Sequence, residues 1–186
     1  MKKIILPSII ANSQKELDER INKVKNSSRT FHLDIMDGKF VKNRSLMFDF
    51  KLPKDKRYVA HLMIKNPEKW INKNWRKADT IIFHLEPFKN EKEIENIIKL
   101  IKSKGRKVGL AINPKTSVEK IRPYLEQIDL VLIMTVNPGK YGSKFLPKTL
   151  KKIGQLRKMK RDIEVSVDGG INPRTIRSAS GAGANT

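Results

Sequence analysis

Seven short, strongly apolar runs recur along this chain, and most are followed by a stretch of helix length. The runs are Ile4–Ile10, Thr30–Ile35, Tyr58–Ile64, Thr80–Leu85, Lys107–Ile112, Leu130–Met134 and Ile163–Val167. Helical spacing appears near Gln14–Lys25, Pro67–Trp75, Glu91–Lys104, Val118–Leu125, Leu146–Lys160 and Pro173–Ser180. Pro67 and Pro173 sit where a first helical turn tolerates proline, and Gly105 follows Lys104 as a helix stop. Runs such as Ile81–Leu85 and Leu130–Met134 are apolar without alternation, as parallel strands covered on both faces require. Strands alternating with helices predict an α/β fold with a parallel sheet. The architecture expected is a TIM-type (β/α)8 barrel in a single domain over residues 1–186. Such barrels use eight strands in about 250 residues. The seventh unit here runs into Gly181–Thr186, where an eighth strand is expected to begin. The barrel is therefore expected to be truncated after its seventh β/α unit, with a gap between its first and last strands.

Composition narrows the setting. The 186 residues are 38% hydrophobic and 32% charged, which suits a polar globular domain. There is no cysteine, so disulfides and thiolate metal sites are excluded, and a reducing compartment fits. The N-terminal run is broken by Pro7 and lacks a small-residue cleavage pattern, so it reads as a first strand rather than a signal peptide. No apolar stretch approaches the ~20 residues of a membrane span. A cytoplasmic protein with no membrane partner is expected.

The formal charge is +21, from 40 Lys and Arg against 19 Asp and Glu, and it attracts anions. The densest basic segment is Lys144–Arg161. It reads as a solvated helix face rather than a nucleic-acid surface, because no nucleic-acid module is recognisable and few aromatics are interleaved.

The run Phe31–Gly38 carries the first chemical signal. It sets His32, Asp34 and Met36 on one face of a strand, and then breaks at Asp37-Gly38. The chain's three histidines, His32, His61 and His84, all fall near the C-terminal ends of expected strands. Asp168 ends the seventh strand. In a parallel barrel those ends form one rim, where the chemistry occurs. His32, Asp34, His61 and Asp168 make a two-imidazole, two-carboxylate set. It suits one divalent metal ion, whether zinc, iron(II), manganese or cobalt. His84, in a Phe-His-Leu-Glu context, reads as a hydrogen-bonded rim residue rather than a ligand. Met36, Met63 and Met134 end strands and read at first as core filler.

Two glycine-bearing turns suit a phosphate. Asn137–Ser143 follows the sixth strand, and Asp168–Asn172 follows the seventh and precedes a helix. The long non-helical connection Asp37–Lys56 is a candidate active-site loop.

Taken in order, HLDIMDG, HLM, NPG and VDGGIN resemble ribulose-phosphate 3-epimerases, and the similarity runs from Leu6–Ala11 to Gly181–Asn185. The resemblance implies an isomerase of the pentose phosphate pathway that epimerises D-ribulose 5-phosphate at C3 to D-xylulose 5-phosphate through an enediolate. It implies His32, Asp34, His61 and Asp168 as metal ligands, with Asp34 and Asp168 also the two acid/base carboxylates. Ser8, Met36, Met63 and Met134 match substrate-contacting positions, and Gly139, Gly142, Gly169 and Gly170 match the phosphate loops. The expected partner is a phosphorylated ketose, with a homo-oligomer as a further expectation. Lys140, Tyr141 and Ser143 depart from the family's NPGFGGQ lid. Three alternatives stay open: an epimerase of hexulose 6-phosphates such as allulose 6-phosphate, a catalytically incomplete barrel, and an anion-binding protein.

Overall fold

A computed structural model describes residues 3–139 and 142–186. The departures at Lys140 and Tyr141 lie outside the described residues. One curled sheet organises the rest. Its strands are β1 (Ser8–Ile9), β2 (Thr30–Asp37), β3 (Arg44–Ser45), β4 (Arg57–Met63), β5 (Thr80–His84), β6 (Lys107–Ile112), β7 (Leu130–Met134) and β8 (Glu164–Asp168). Seven of them pair in parallel in the order β1-β2-β4-β5-β6-β7-β8, and β3 is an antiparallel attachment to β2. The helices are α1 (Gln14–Val24), α2 (Glu68–Asn74), α3 (Glu91–Ser103), α4 (Lys151–Met159) and α5 (Ile176–Gly181). This is the expected barrel architecture.

The sheet divides its residues by parity. Phe31, Leu33, Ile35, Ala60, Leu62, Ile81, Phe83, Leu110, Ile112, Val131, Ile133 and Val165 join the helices in the larger core. Helix α3 lays Ile94, Ile97, Ile98 and Ile101 on that face. Fully burying each such side chain is worth roughly 1.5–3 kcal/mol. The helix starts at Asn90, whose side chain accepts from the Glu93 amide, while Glu93 accepts from the Lys89 amide. Inside the curl lies a smaller cluster of Ile82, Ala111, Leu130, Leu132, Met134 and Val136. Gly109 leaves room there: a Cβ at that position would come within 2.7 Å of Ile82 Cγ1.

Two expectations are corrected and a third, the open barrel of seven parallel strands, holds with one refinement. The first strand, expected over Ile4–Ile10, pairs only at Ser8–Ile9. Pro7 has no N–H to add to a ladder, and Ile5 is 67% exposed. The helix expected at Val118–Leu125 is a 3-10 helix, Val118–Tyr124, because Pro123 removes a donor and crowds the preceding turn. Finally, the gap beside β1 is bridged at its lower end. The Ile4 amide donates to Asn185 O, the Asn185 amide donates to Val165 O, and the Val167 amide donates to Thr186 O. Asn185 and Thr186 thus lie between β8 and the segment leading into β1. The Arg157 guanidinium fastens them through Gly183 O at 3.1 Å and Asn185 Oδ1 at 2.6 Å. Several cations of the basic segment are spent this way: Lys152 bonds Asn113 O and Thr116 O, and Lys160 bonds Leu125 O.

The connection after β2 is anchored rather than loose. Ser45 Oγ accepts from the Ala11 amide, and the Leu46 amide donates to Ala11 O. Asp37 closes the turn by accepting from the amides of Lys39, Phe40 and Lys65. Burial opposes its ionisation, but these amides outweigh it and hold its carboxyl below the usual carboxylate range. A depressed folded pKa stabilises above the unfolded value and is lost as pH falls through the folded one. Asp37→Asn is expected to lower stability by about 1 kcal/mol at pH 7. Urea unfolding at several pH values should show the difference shrinking below about pH 4, the unfolded carboxylate range; a gap that stays constant down to pH 2 contradicts this role.

Candidate functional site

Parallel register decides which polar residues meet. Ser8 pairs with His32, Asp34 with His61, Met36 with Met63, and Met134 with Asp168. Inward-pointing positions alternate along each strand, so His32, Asp34 and Met36 share a face with His61 and Met63. All of them gather at the C-terminal rim.

The four expected ligands converge there. His32, Asp34, His61 and Asp168 each offer a donor atom, and these atoms lie within 4.8 Å of one another. His61 Nδ1 stands 3.1 Å from Asp34 Oδ1 and 3.3 Å from Asp168 Oδ2. His32 Nε2 lies 3.3 Å from Asp34 Oδ1 and 3.9 Å from Asp168 Oδ2. That nitrogen is buried and makes no aligned hydrogen bond among the described residues. A buried polar atom without a partner is costly, and here it points at two carboxylates and a second imidazole. Two imidazoles and two carboxylates are ordinary donors for a divalent transition ion. The residues present therefore fit a metal.

Electrostatics tie the group together. Burial opposes charge on Asp34, but the His32 and His61 imidazoles hold its carboxyl far below the usual carboxylate range. For His61, burial works toward neutrality, yet the Asp168 and Asp34 carboxylates push its pKa up to about 9. The Asp168 side chain is 20% exposed against 7% for Asp34 and 0% for His61, so Asp168 is the more open of the two carboxylates. Thr135, fully buried, fixes the end of β8: its hydroxyl donates to Asp168 O and Gly169 O, and its amide donates to Asp168 O.

A cavity of about 670 Å³ opens over this rim. Ser8, Met36, Met63, Met134, Gly139, Gly142, Gly169 and Gly170 all line it, beside His32, Asp34 and Asp168. Both glycine turns thus face the same space as the ionisable group. Gly169 has φ +108° and packs against Val136, leaving no volume for a side chain. One expectation is adjusted here. The helix after Asp168 was expected from Pro173, but α5 starts at Ile176 and has six residues. Asn172 takes up the turn before it, accepting from the Arg174 and Thr175 amides.

His84 lies behind the four-residue group as a hydrogen-bonded rim residue. Its Nε2 is 2.9 Å from His61 Nε2, and its Nδ1 is 3.0 Å from Glu86 Oε2. In the sequence Glu86 stands only as part of the His84 context, and Thr135 does not stand out. Glu86 follows His84 at an i+2 spacing, the same signal that drew attention to His32 and Asp34. Thr135 carried no such signal, since a threonine after an apolar strand is common.

Residues 4–186 match the model of the Ribulose-phosphate 3 epimerase family. The chain is 36% identical over 190 residues to ribulose-phosphate 3-epimerase of Schizosaccharomyces pombe, covering 97% of this chain and 82% of that protein. It is 36% identical over 192 residues to the ribulose-phosphate 3-epimerase of Bacillus subtilis, covering 97% and 87%. The cytoplasmic isoform of Oryza sativa is 35% identical over 189 residues, covering 97% and 81%. Among solved structures, a tryptophan synthase alpha-subunit from Pyrococcus furiosus superposes with a TM-score of 0.67 at 17% identity, over 97% of this chain and 84% of that one. That likeness is one of fold alone.

The close approach at Gly169 gives a direct test of the loop. Gly169→Ala forces a side chain into Val136 and a left-handed backbone, and is expected to cost roughly 1–3 kcal/mol. Chemical unfolding reads the change; an unaltered midpoint contradicts the tight packing.

Proposed function

The chain belongs to the ribulose-phosphate 3-epimerase family, and from that premise we propose that it interconverts D-ribulose 5-phosphate and D-xylulose 5-phosphate by metal-assisted proton transfer between two carboxylates. The observation that carries this reading is the convergence of His32, Asp34, His61 and Asp168 beneath one cavity. The named relatives are isomerases of this type, and the rice relative's designation as cytoplasmic goes with a cytoplasmic setting for this chain. No helix among the described residues is long and apolar enough to cross a membrane.

Inverting a carbon next to a ketone requires removing a proton from one face and delivering one to the other. Asp34 and Asp168 supply the two groups: one accepts the C3 proton while the other donates. His32, Asp34, His61 and Asp168 would hold the metal. When bound, it would supply Lewis-acid stabilisation of the negative charge that develops on the substrate oxygens. The Met36, Met63 and Met134 thioethers present polarisable, uncharged surface to a planar intermediate and keep water from it. Backbone amides around Gly139, Gly142, Gly169 and Gly170 suit the phosphate, whose remote binding energy orients the reacting carbon. Ser8, beside His32 in the sheet, suits a sugar hydroxyl. The net charge of +21 attracts a dianionic substrate to the protein.

Positioned acid/base groups typically contribute about 10²–10⁴-fold. Asp34→Asn and Asp168→Asn are each expected to lose that much kcat, measured as deuterium uptake at C3 of ribulose 5-phosphate in D2O. Near-parental exchange in both variants rejects the assignment. Chelation is expected to abolish turnover and a divalent ion to restore it; full activity in verified metal-free protein rejects the metal's part. The ratio kcat/KM should favour ribulose 5-phosphate over allulose 6-phosphate, and the reverse ranking assigns the protein to hexulose phosphates instead.

A further inference from the structure

Behind the four-residue group runs a buried chain of hydrogen bonds that the proposed reaction does not use. Glu86 is its terminus. Glu86 Oε1 accepts from the Asn113 amide at 2.7 Å and from the Thr116 hydroxyl at 2.6 Å. Glu86 Oε2 lies 3.0 Å from His84 Nδ1. The loop holding those donors is itself fastened, because Lys152 Nζ on α4 bonds Asn113 O at 2.8 Å and Thr116 O at 2.6 Å. Two donors already aim at this carboxylate, so it serves as an acceptor, and the ring nitrogen facing it must carry a proton.

The remaining protons follow from donor–acceptor counting. With its proton on Nδ1, neutral His84 presents a lone pair at Nε2. That atom is 2.9 Å from His61 Nε2, so His61 must donate there. A neutral imidazole has one N–H and one lone pair. Once a cation displaces the proton that Nδ1 shares with Asp34 and Asp168, His61 is neutral and its lone pair is left at Nδ1, the atom that faces those two carboxylates. Both rings are completely enclosed: the side-chain exposure of His61 and of His84 is 0%. They stack with centroids 5.0 Å apart, and Phe40 from the loop after β2 lies against His84 at 4.7 Å. Neither ring can turn over without stranding a buried polar atom.

We propose that Glu86 and His84 are positioning residues that set the tautomer of His61, so that its Nδ1 presents a lone pair to a divalent cation at the rim. The inference rests on the metal-assisted reading given above and adds a carboxylate–histidine–histidine relay to it. Metal-bound histidines commonly donate their second N–H to a carboxylate or carbonyl directly. Here the carboxylate acts through an intervening imidazole. The relay does three things. It selects the ligating nitrogen, holds the ring plane, and returns part of the Glu86 charge to the ligand, strengthening it as a donor.

The test reads metal binding rather than turnover. Loss of such an outer partner typically weakens metal affinity about 10–100-fold. Co²⁺ binding to the full chain, followed by its visible absorption and by competition with a chelator, is expected to weaken by that factor in His84→Phe. His84→Gln, which restores an acceptor for the His61 N–H, is expected to recover most of the loss. Circular dichroism of the metal-free variants separates this effect from unfolding. A second measurement needs no variant: ¹⁵N shifts of the zinc-loaded wild type should show protons on His61 Nε2 and His84 Nδ1. The opposite tautomers overturn the proposal. So does a folded His84→Phe that holds Co²⁺ as tightly as wild type with the same spectrum, and that result leaves the epimerase reading intact. A wild type that epimerises yet binds no Co²⁺ or Zn²⁺ overturns the metal reading and this inference together.

Discussion

The lateral register of the parallel sheet is the constraint on which everything else depends. Asp34 pairs with His61, and Met134 pairs with Asp168, in ladders fixed by backbone hydrogen bonds. A slip of one residue would send every inward side chain to the helix-covered face. The larger apolar core prevents that slip, since Leu33, Ile35, Leu62 and Val165 would otherwise be driven into the polar interior. The site is thus held in place by oil on the other side of the sheet. Its four ionisable groups sit on rigid strands rather than on loops, where small errors of position cost most.

That arrangement also explains how buried charge is tolerated. Asp34 is nearly enclosed, and an isolated carboxylate there would be strongly disfavoured. The neighbouring imidazoles offset the loss of water for Asp34, and the two carboxylates do the same for His61. The cluster is self-compensating only as a set. Behind it, Glu86 satisfies His84 and accepts in turn from Thr116, so that polar groups form a continuous path from the rim to the loop pinned by Lys152.

Much of this was legible in the sequence because strand parity and strand ends are written into short runs. The segment His32-Leu-Asp-Ile-Met carries both the apolar outer face and the polar inner one, and the structure keeps that division. The order of strands and the gathering of His32, Asp34, His61 and Asp168 followed from one rule about parallel barrels. What escaped depended on contacts distant in sequence. The short β1 reflects Pro7, which has no N–H for a ladder, rather than poor strand propensity at Ile4 and Ile5. The bridge made by Asn185 and Thr186 needs Arg157 and Ile4, which no local pattern connects to them. The i+2 spacing marks Glu86 beside His84, but its part as a fastened acceptor emerges only once the fold brings Asn113 and Thr116, from the far end of β6, against it.

The central claim is that register brings two imidazoles and two carboxylates onto one cation. Crystals of the protein grown with manganese, with diffraction recorded across the metal's absorption edge, address it most directly. The account predicts a single anomalous peak at the rim, within bonding distance of His32 Nε2, His61 Nδ1, Asp34 and Asp168. A peak elsewhere, or none at this rim in protein that is otherwise active, would contradict it.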